Sequence, residues 1–319
     1  MSETVTFLLC IEQNAIREQA LLLCESIRAF AGPHRHAPIV AVAARAGLGV
    51  DAECRSRLRT LDVEYVEEPL NTVAPLYGSA NRVAAAAWIE PRATSDWIVV
   101  LDSDTLVLGP LVWPTDCHVA LRPVDTKGSA SSGPDDPFDE YWQQLAALHG
   151  SSPDCLPYID TVDRTARIRA SYNGGLVVVR RETGLLGAWA VLFTRSMEQG
   201  LRPWKGSGLN VRASTDMVGV EASEFWGSNQ AALALAIWSR PSRVHVLSDA
   251  YNVPLHMLLR DPRSPAWPTT RPVVHVHYHW LFAAPTASPA IEALQTLGVT
   301  REQLDWLRER TPLLPAGPG

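Results

Sequence analysis

Lysine is almost missing from this chain. Two residues, Lys127 and Lys205, carry it, and the remaining positive charges are arginines. Lys and Arg total 28 against 34 Asp and Glu, a net charge of −6. Such a balance offers no basic field for nucleic acid or for an anionic membrane surface. Cysteine is sparse too: Cys10, Cys24, Cys54, Cys117 and Cys155 are scattered, with no C-x-x-C pair. This argues against a disulfide framework and against a thiolate zinc site, and it fits a reducing cytoplasm. No run approaches the roughly 18 apolar residues that a membrane-spanning helix needs. The opening MSETVTFLLCIEQN lacks a basic region and reads as a first strand, not as a signal peptide. Also absent are G-x-G-x-x-G, the P-loop and H-E-x-x-H.

What is present is ordinary for a folded protein: 319 residues, 46% hydrophobic and 19% charged. The abundance of Ala, Arg, Pro and Gly points to a GC-rich bacterial gene. The first third alternates short apolar runs with helical patterns. Val5–Ile11, Pro38–Ala43, Val63–Val66 and Trp97–Leu101 read as strands. Arg17–Phe30, Asp51–Leu61 and Tyr77–Ile89 read as helices between them. This βαβαβαβ order predicts a parallel sheet with helices on both faces. Val124–Asp154 is rich in Gly, Ser, Pro and Asp, and reads as a loop and a short helix, either a lid or a plain surface insertion. Leu201–Val211 is a second loop. Strands are expected at Ala170–Arg180, Val244–Leu247 and Val273–Tyr278, and helices at Thr183–Gln199, Ser228–Trp238 and Ile291–Arg310. We expect one domain over residues 1–319. Within it, 1–123 forms a nucleotide-sugar-binding half, 124–285 an acceptor and metal half, and 286–319 C-terminal helices and a tail.

The sharpest local signal is Trp97-Ile-Val-Val-Leu-Asp102-Ser103-Asp104-Thr, four apolar residues running into two carboxylates. Ligands of open parallel sheets bind beyond the carboxyl ends of the strands. Two carboxylates there can share one hard divalent cation, Mn²⁺ or Mg²⁺, which in turn can bridge a diphosphate. The plainer explanation is a strand-end turn whose Asp side chains cap backbone N–H groups.

The neighbouring segments extend the signal. Tyr77-Gly-Ser-Ala-Asn81-Arg82, the Asp102-Ser103-Asp104 strand, Ser171-Tyr172-Asn173-Gly174-Gly175, Trp226-Gly-Ser-Asn229-Gln230 and Val273-Val274-His275-Val-His277-Tyr-His279 occur in this order. Together they resemble the GT-A glycosyltransferases, most closely glycosyltransferase family 8. The resemblance implies an α/β, Rossmann-like fold with a mixed, mainly parallel sheet flanked by helices. It implies metal-dependent transfer of a sugar from a nucleotide-diphosphate sugar to an acceptor, which could be a glycan, a small molecule or a peptide. Asn81, Arg82, Asp102, Ser103 and Asp104 would bind the donor. Asp102 and Asp104 would hold the metal with His277 or His279. Asn173, Asn229 and Gln230 would line the sugar pocket as the catalytic group. Arg82 stands where the family usually has Lys, and Asn229 where it has Asp. The family's Lys-Pro-Trp segment after the metal His is replaced by Trp280-Leu-Phe-Ala-Ala-Pro.

His275, His277 and His279 alternate and would share one face of a strand. Three imidazoles there could also form a zinc site by themselves. An inverting enzyme needs a carboxylate base opposite the leaving group. Asp216, Glu221 and Glu224 are the candidates; the Asn-Gln pair and the resemblance lean towards retention instead. Trp142, Trp204, Trp226 and Trp280 could stack on a sugar or a base, or fill the core. Three rivals remain. A haloacid-dehalogenase-type phosphatase also begins Asp-x-Asp, but Thr105 follows Asp104 directly and breaks that spacing. A nucleotidyltransferase would want glycines in the loop from Ile11 to Arg17, which has none. A catalytically inactive glycosyltransferase-like binding protein would explain Asn229.

Overall fold

The computed structural model describes residues 3–213, 216–261, 272–278, 280–282 and 286–311. The N-terminal part follows the pattern expected from its apolar runs. It reads β1 (Val5–Cys10), α1 (Ile16–Phe30), β2 (Ile39–Ala43), α2 (Ala52–Thr60), β3 (Val63–Glu67), α3 (Ala80–Ile89) and β4 (Trp97–Leu101). Local chemistry sets the boundaries. Asp51 starts α2 because its side chain accepts from the Cys54 N–H at 2.8 Å. Then come β5 (Thr105–Val107), β6 (Val119–Pro123), α4 (Asp139–Leu148), and the hairpin of β7 (Tyr158–Asp160) and β8 (Arg167–Arg169). β9 (Tyr172–Arg180) and α5 (Leu185–Glu198) follow, with a small hairpin of β10 (Arg212–Ala213) and β11 (Asp216–Met217). The chain closes with α6 (Val220–Ser223), α7 (Ser228–Trp238), β12 (Val244–Val246), β13 (Val253–Pro254), α8 (Leu255–Arg260), β14 (His275–His277), α9 (Ala287–Thr296) and α10 (Arg301–Arg310).

Seven strands form the central sheet in the order β12-β6-β9-β4-β1-β2-β3. β1 to β4 are mutually parallel, and β12 runs parallel to β6, while β9 lies antiparallel between β4 and β6. The sheet is therefore mixed and mainly parallel, as the resemblance implied. Alternate residues feed two cores. Leu8, Val40, Val100 and Val177 face α3, α5 and α7, where Val83, Trp189 and Leu233 meet them. Phe7, Ile39, Val99 and Val178 face α1 and α2, where Leu21, Ile27 and Leu58 meet them. Both faces are covered, which explains why these strands read as unbroken apolar runs.

A third cluster joins Leu106 of β5 and Val276 of β14 to Leu294 of α9 and Leu307 of α10. Here β14 pairs antiparallel with β5, setting His277 opposite Thr105. That pairing carries a late segment back to the end of β4, where the site forms. The 124–154 stretch is anchored, with Trp142 and Leu145 of α4 fully buried. No helix of the described residues is long and apolar enough to cross a membrane.

Candidate active site

β4 ends at Leu101, and the chain turns at once. The Asp102 N–H donates to the Gly175 carbonyl at 3.1 Å, continuing the β4–β9 pairing by one residue. Thr105 Oγ1 donates to the Asp102 carbonyl at 2.7 Å. The Ser103 hydroxyl donates inward to the Cys10 carbonyl at the end of β1. Ser103, expected to bind donor, thus spends its hydroxyl on locking the turn. Asp102 is left at the surface of a cavity and Asp104 is buried within its wall.

His277 completes the cluster. Its Nε2 lies 3.3 Å from Asp104 Oδ1 and 3.7 Å from Asp102 Oδ2. One ligand atom from each of Asp102, Asp104 and His277 falls within 4.8 Å of the others. Burial would lower the His277 pKa, but the charges of Asp104 and Asp102 outweigh it and the net shift is upward. Two carboxylates and an imidazole converging on one point suit a divalent cation. His275 is different. It is fully buried, and desolvation pushes its pKa down to about 3. Of the two described histidines on β14, His277 alone joins the carboxylates. A three-imidazole zinc site finds no support among the described residues, and His279 lies outside them.

Arg82 on α3 reaches the same place. It is buried and paired with Asp102; burial lowers its pKa, but the Asp102 charge more than reverses that. The Gly174-Gly175 pair makes this packing possible. A Cβ on Gly174 would collide with the Arg82 guanidinium, and one on Gly175 with the His277 ring and the Asn252 amide. These glycines are needed for close approach rather than for backbone freedom.

The cavity has a volume of about 530 Å³ and opens above these groups. Asn81, Asn173, Asn229 and Gln230 all line it. Three of them are tied into the protein. Asn81 donates to Glu12 at 2.9 Å. Asn173 donates to Asp125 Oδ2 at 3.0 Å and accepts from the Gly175 N–H at 2.8 Å. Asn229 Oδ1 accepts from the buried Tyr77 hydroxyl at 3.1 Å, and the Asn229 backbone carbonyl accepts from Trp189 Nε1 at 2.8 Å. An amide here serves a buried phenol without placing a second charge in the core. Gln230 alone of the four has no side-chain partner among the described residues. The two candidate bases whose side chains are described lie away from the cavity. Glu224 is bound by Arg202 at 2.8 Å and by the Gly206 N–H, and Glu221 is exposed. Neither lines the cavity, and the side chain of Asp216 lies outside the described residues. Trp226 and Trp280 line the cavity, whereas Trp142 is core and Trp204 packs edge-on against Phe138.

Sequence reasoning missed Glu12 and Asp125. Glu12 is buried two residues past β1, held by Arg45 and Asn81. Asp125 is buried two residues past β6, and desolvation pushes its pKa up to about 6. Both follow strand ends, as Asp102 does, but each is a single carboxylate outside any motif.

Comparison with known proteins agrees with this architecture. LgtC galactosyltransferase in complex with donor and acceptor sugar analogs superposes with a TM-score of 0.51 at 15% identity, covering 95% of this chain and 99% of that one. An active-site mutant of LgtC gives the same values: TM-score 0.51, 15% identity, 95% and 99% coverage. The bifunctional glycosyltransferase WbbM matches with a TM-score of 0.49 and 15% identity over 98% of this chain and 52% of that one. No curated protein matches the sequence. The dehalogenase-type phosphatase gains nothing from any of these matches. A family model for a Rhodobacterales glycosyltransferase domain matches residues 7–205, more than half of the chain. The protein belongs to that family and is a glycosyltransferase enzyme of GT-A fold.

Proposed function

We propose that the protein transfers a sugar from a nucleoside-diphosphate donor to an acceptor, with Mn²⁺ or Mg²⁺ held by Asp102, Asp104 and His277. The observation that carries this reading is the convergence of those three ligand atoms within 4.8 Å beside the cavity. The cation would supply electrostatic stabilisation of the departing diphosphate. Arg82, anchored on Asp102, would add a second positive charge to the same oxygens. Glu12, Arg45 and Asn81 line the same cavity, and the nucleoside would lie against them. Asn173, Asn229 and Gln230 would face the sugar, with Gln230 the free hydrogen-bonding group.

Retention is favoured because neither Glu221 nor Glu224 lines the cavity. The leaving diphosphate would then take the acceptor proton. Asp125 supports a second reading: its carboxyl, raised to about 6, lies in the range of a working base for inversion. The anomeric configuration of the first product, read by NMR, separates the two. The five free thiols favour a reducing cytoplasm as the place of work. We place the donor half in 1–123, the acceptor and metal half in 124–285 and a supporting segment in 286–319.

The metal reading is tested with Asp104→Asn. The expected outcome is loss of Mn²⁺-dependent donor hydrolysis by at least about a hundredfold, with unchanged circular dichroism. Undiminished hydrolysis in that variant would sink the cation assignment.

A further inference from the structure

We infer that Asn252 is the positioning residue for His277: its side-chain carbonyl accepts the Nδ1 proton, fixing the ring with the Nε2 lone pair towards the carboxylates. The inference rests on the cation reading above and names a residue in no motif of the sequence.

The two edges of the His277 ring face different surroundings. Nε2 faces Asp104 at 3.3 Å and Asp102 at 3.7 Å. Nδ1 faces Gly175, and Asn252 Oδ1 crowds the same point, where a Cβ on Gly175 would strike both atoms. Asn252 is 0% exposed and His277 is 1% exposed. Neither has a hydrogen-bond partner for its side-chain nitrogens or, for Asn252, its oxygen. A buried polar atom left unpaired forfeits its hydration with nothing in return. Two such groups placed at one point, one able to donate and one to accept, are each other's natural partners.

The backbone is shaped for this meeting. Asn252 has φ +48°, a left-handed conformation that Asn tolerates better than most residues. It immediately precedes β13, which pairs parallel with β14 and aligns Pro254 with His277. Gly175 comes from β9, so three separate strands bring the parts together. A metal-bound imidazole needs its other nitrogen held, because that bond sets both tautomer and ring orientation. A neutral imidazole with Nδ1–H is the form that offers Nε2 to a cation.

The test uses the full chain with ¹⁵N-labelled histidine, saturated with diamagnetic Mg²⁺. Long-range ¹H–¹⁵N spectra should show the His277 proton on Nδ1 and shifted downfield by a hydrogen bond; an Nδ1 proton without that shift would overturn the inference. Asn252→Gly, which keeps the left-handed backbone, should lose the downfield shift. It should also weaken Mn²⁺ binding, measured by electron paramagnetic resonance, about 10- to 100-fold. Asn252→Asp retains an acceptor and should keep Mn²⁺ binding within a few-fold of the parent. Equal Mn²⁺ affinity in Asn252→Gly and the parent refutes the inference. His277→Ala separates the two ideas. If it loses Mn²⁺ while Asn252→Gly does not, only the positioning role falls. If His277→Ala binds Mn²⁺ normally, the cation reading falls and takes the positioning role with it. Should Asn252→Gly fail to fold, the Nδ1 proton shift of the Mg²⁺-loaded parent protein decides.

Discussion

Asp125 shows what a single buried carboxyl does to the molecule. One oxygen accepts from Asn173, and the other has no partner. Burial raises its pKa from 3.8 to about 6. A raised folded-state value means that the unfolded chain loses this proton first as pH climbs. Asp125 is therefore harmless below about pH 4 and destabilising above about pH 6, by up to about 3 kcal/mol. Asp125→Asn should raise Tm at pH 8 and leave it nearly unchanged at pH 4, as read by calorimetry. An equal effect at both pH values would remove burial as the cause. The residue scale is also where the sequence was most and least informative. Asp102 and Asp104 stood out because they come as a pair after the apolar run Trp97–Leu101. Glu12 also follows an apolar run, Phe7–Ile11, but Glu12 and Asp125 are lone carboxylates, and their burial depends on contacts that no local pattern records. Asn252 has no signal at all; only the fold brings it to His277.

At the scale of elements, the apolar runs located the strands well. Trp97–Leu101 and Ser228–Trp238 are the elements read from the pattern, residue for residue. Direction was less legible. β9 is as continuously buried as the parallel strands, so its sequence cannot say that it runs the other way. Its Gly-Gly pair is what gives it meaning, since two site side chains occupy the space where Cβ atoms would be. Gly174→Ala is expected to displace Arg82 and Gly175→Ala to displace His277 and Asn252. Each should lower Tm, and Gly175→Ala should weaken Mn²⁺ binding at least about tenfold. Mn²⁺ titration of both variants checks this; parent-like affinity in Gly175→Ala would mean that the ring is not held where the structure puts it.

On the scale of the whole molecule, the site depends on residues far from it. The cluster of Leu106, Val276, Leu294 and Leu307 backs the two short strands that present Asp104 and His277. Leu294 and Leu307 are 0% exposed, so Leu294→Ala or Leu307→Ala should cost about 2–5 kcal/mol in urea unfolding. If α9 and α10 brace the site, these variants should also bind Mn²⁺ more weakly although no ligand is touched. The meeting of His277 with Asp102 and Asp104 was implied only by the family resemblance, and the β14–β5 pairing that brings it about was not read, because a contact between residues near 104 and 277 leaves no trace in composition or periodicity. The overall α/β layering, by contrast, followed from the alternation of apolar runs and amphipathic stretches alone.

The central claim is that a divalent cation at Asp102, Asp104 and His277 recruits a nucleoside diphosphate. It is tested most directly by thermal shift with each common nucleoside diphosphate, with and without Mn²⁺. A ligand that binds only the folded state raises Tm by mass action, by about 2.7 kcal/mol of stability at a hundredfold excess over Kd. The expected result is a shift with one nucleotide that requires Mn²⁺ and vanishes in Asp104→Asn. A shift of equal size without metal, or one that survives in Asp104→Asn, would contradict it.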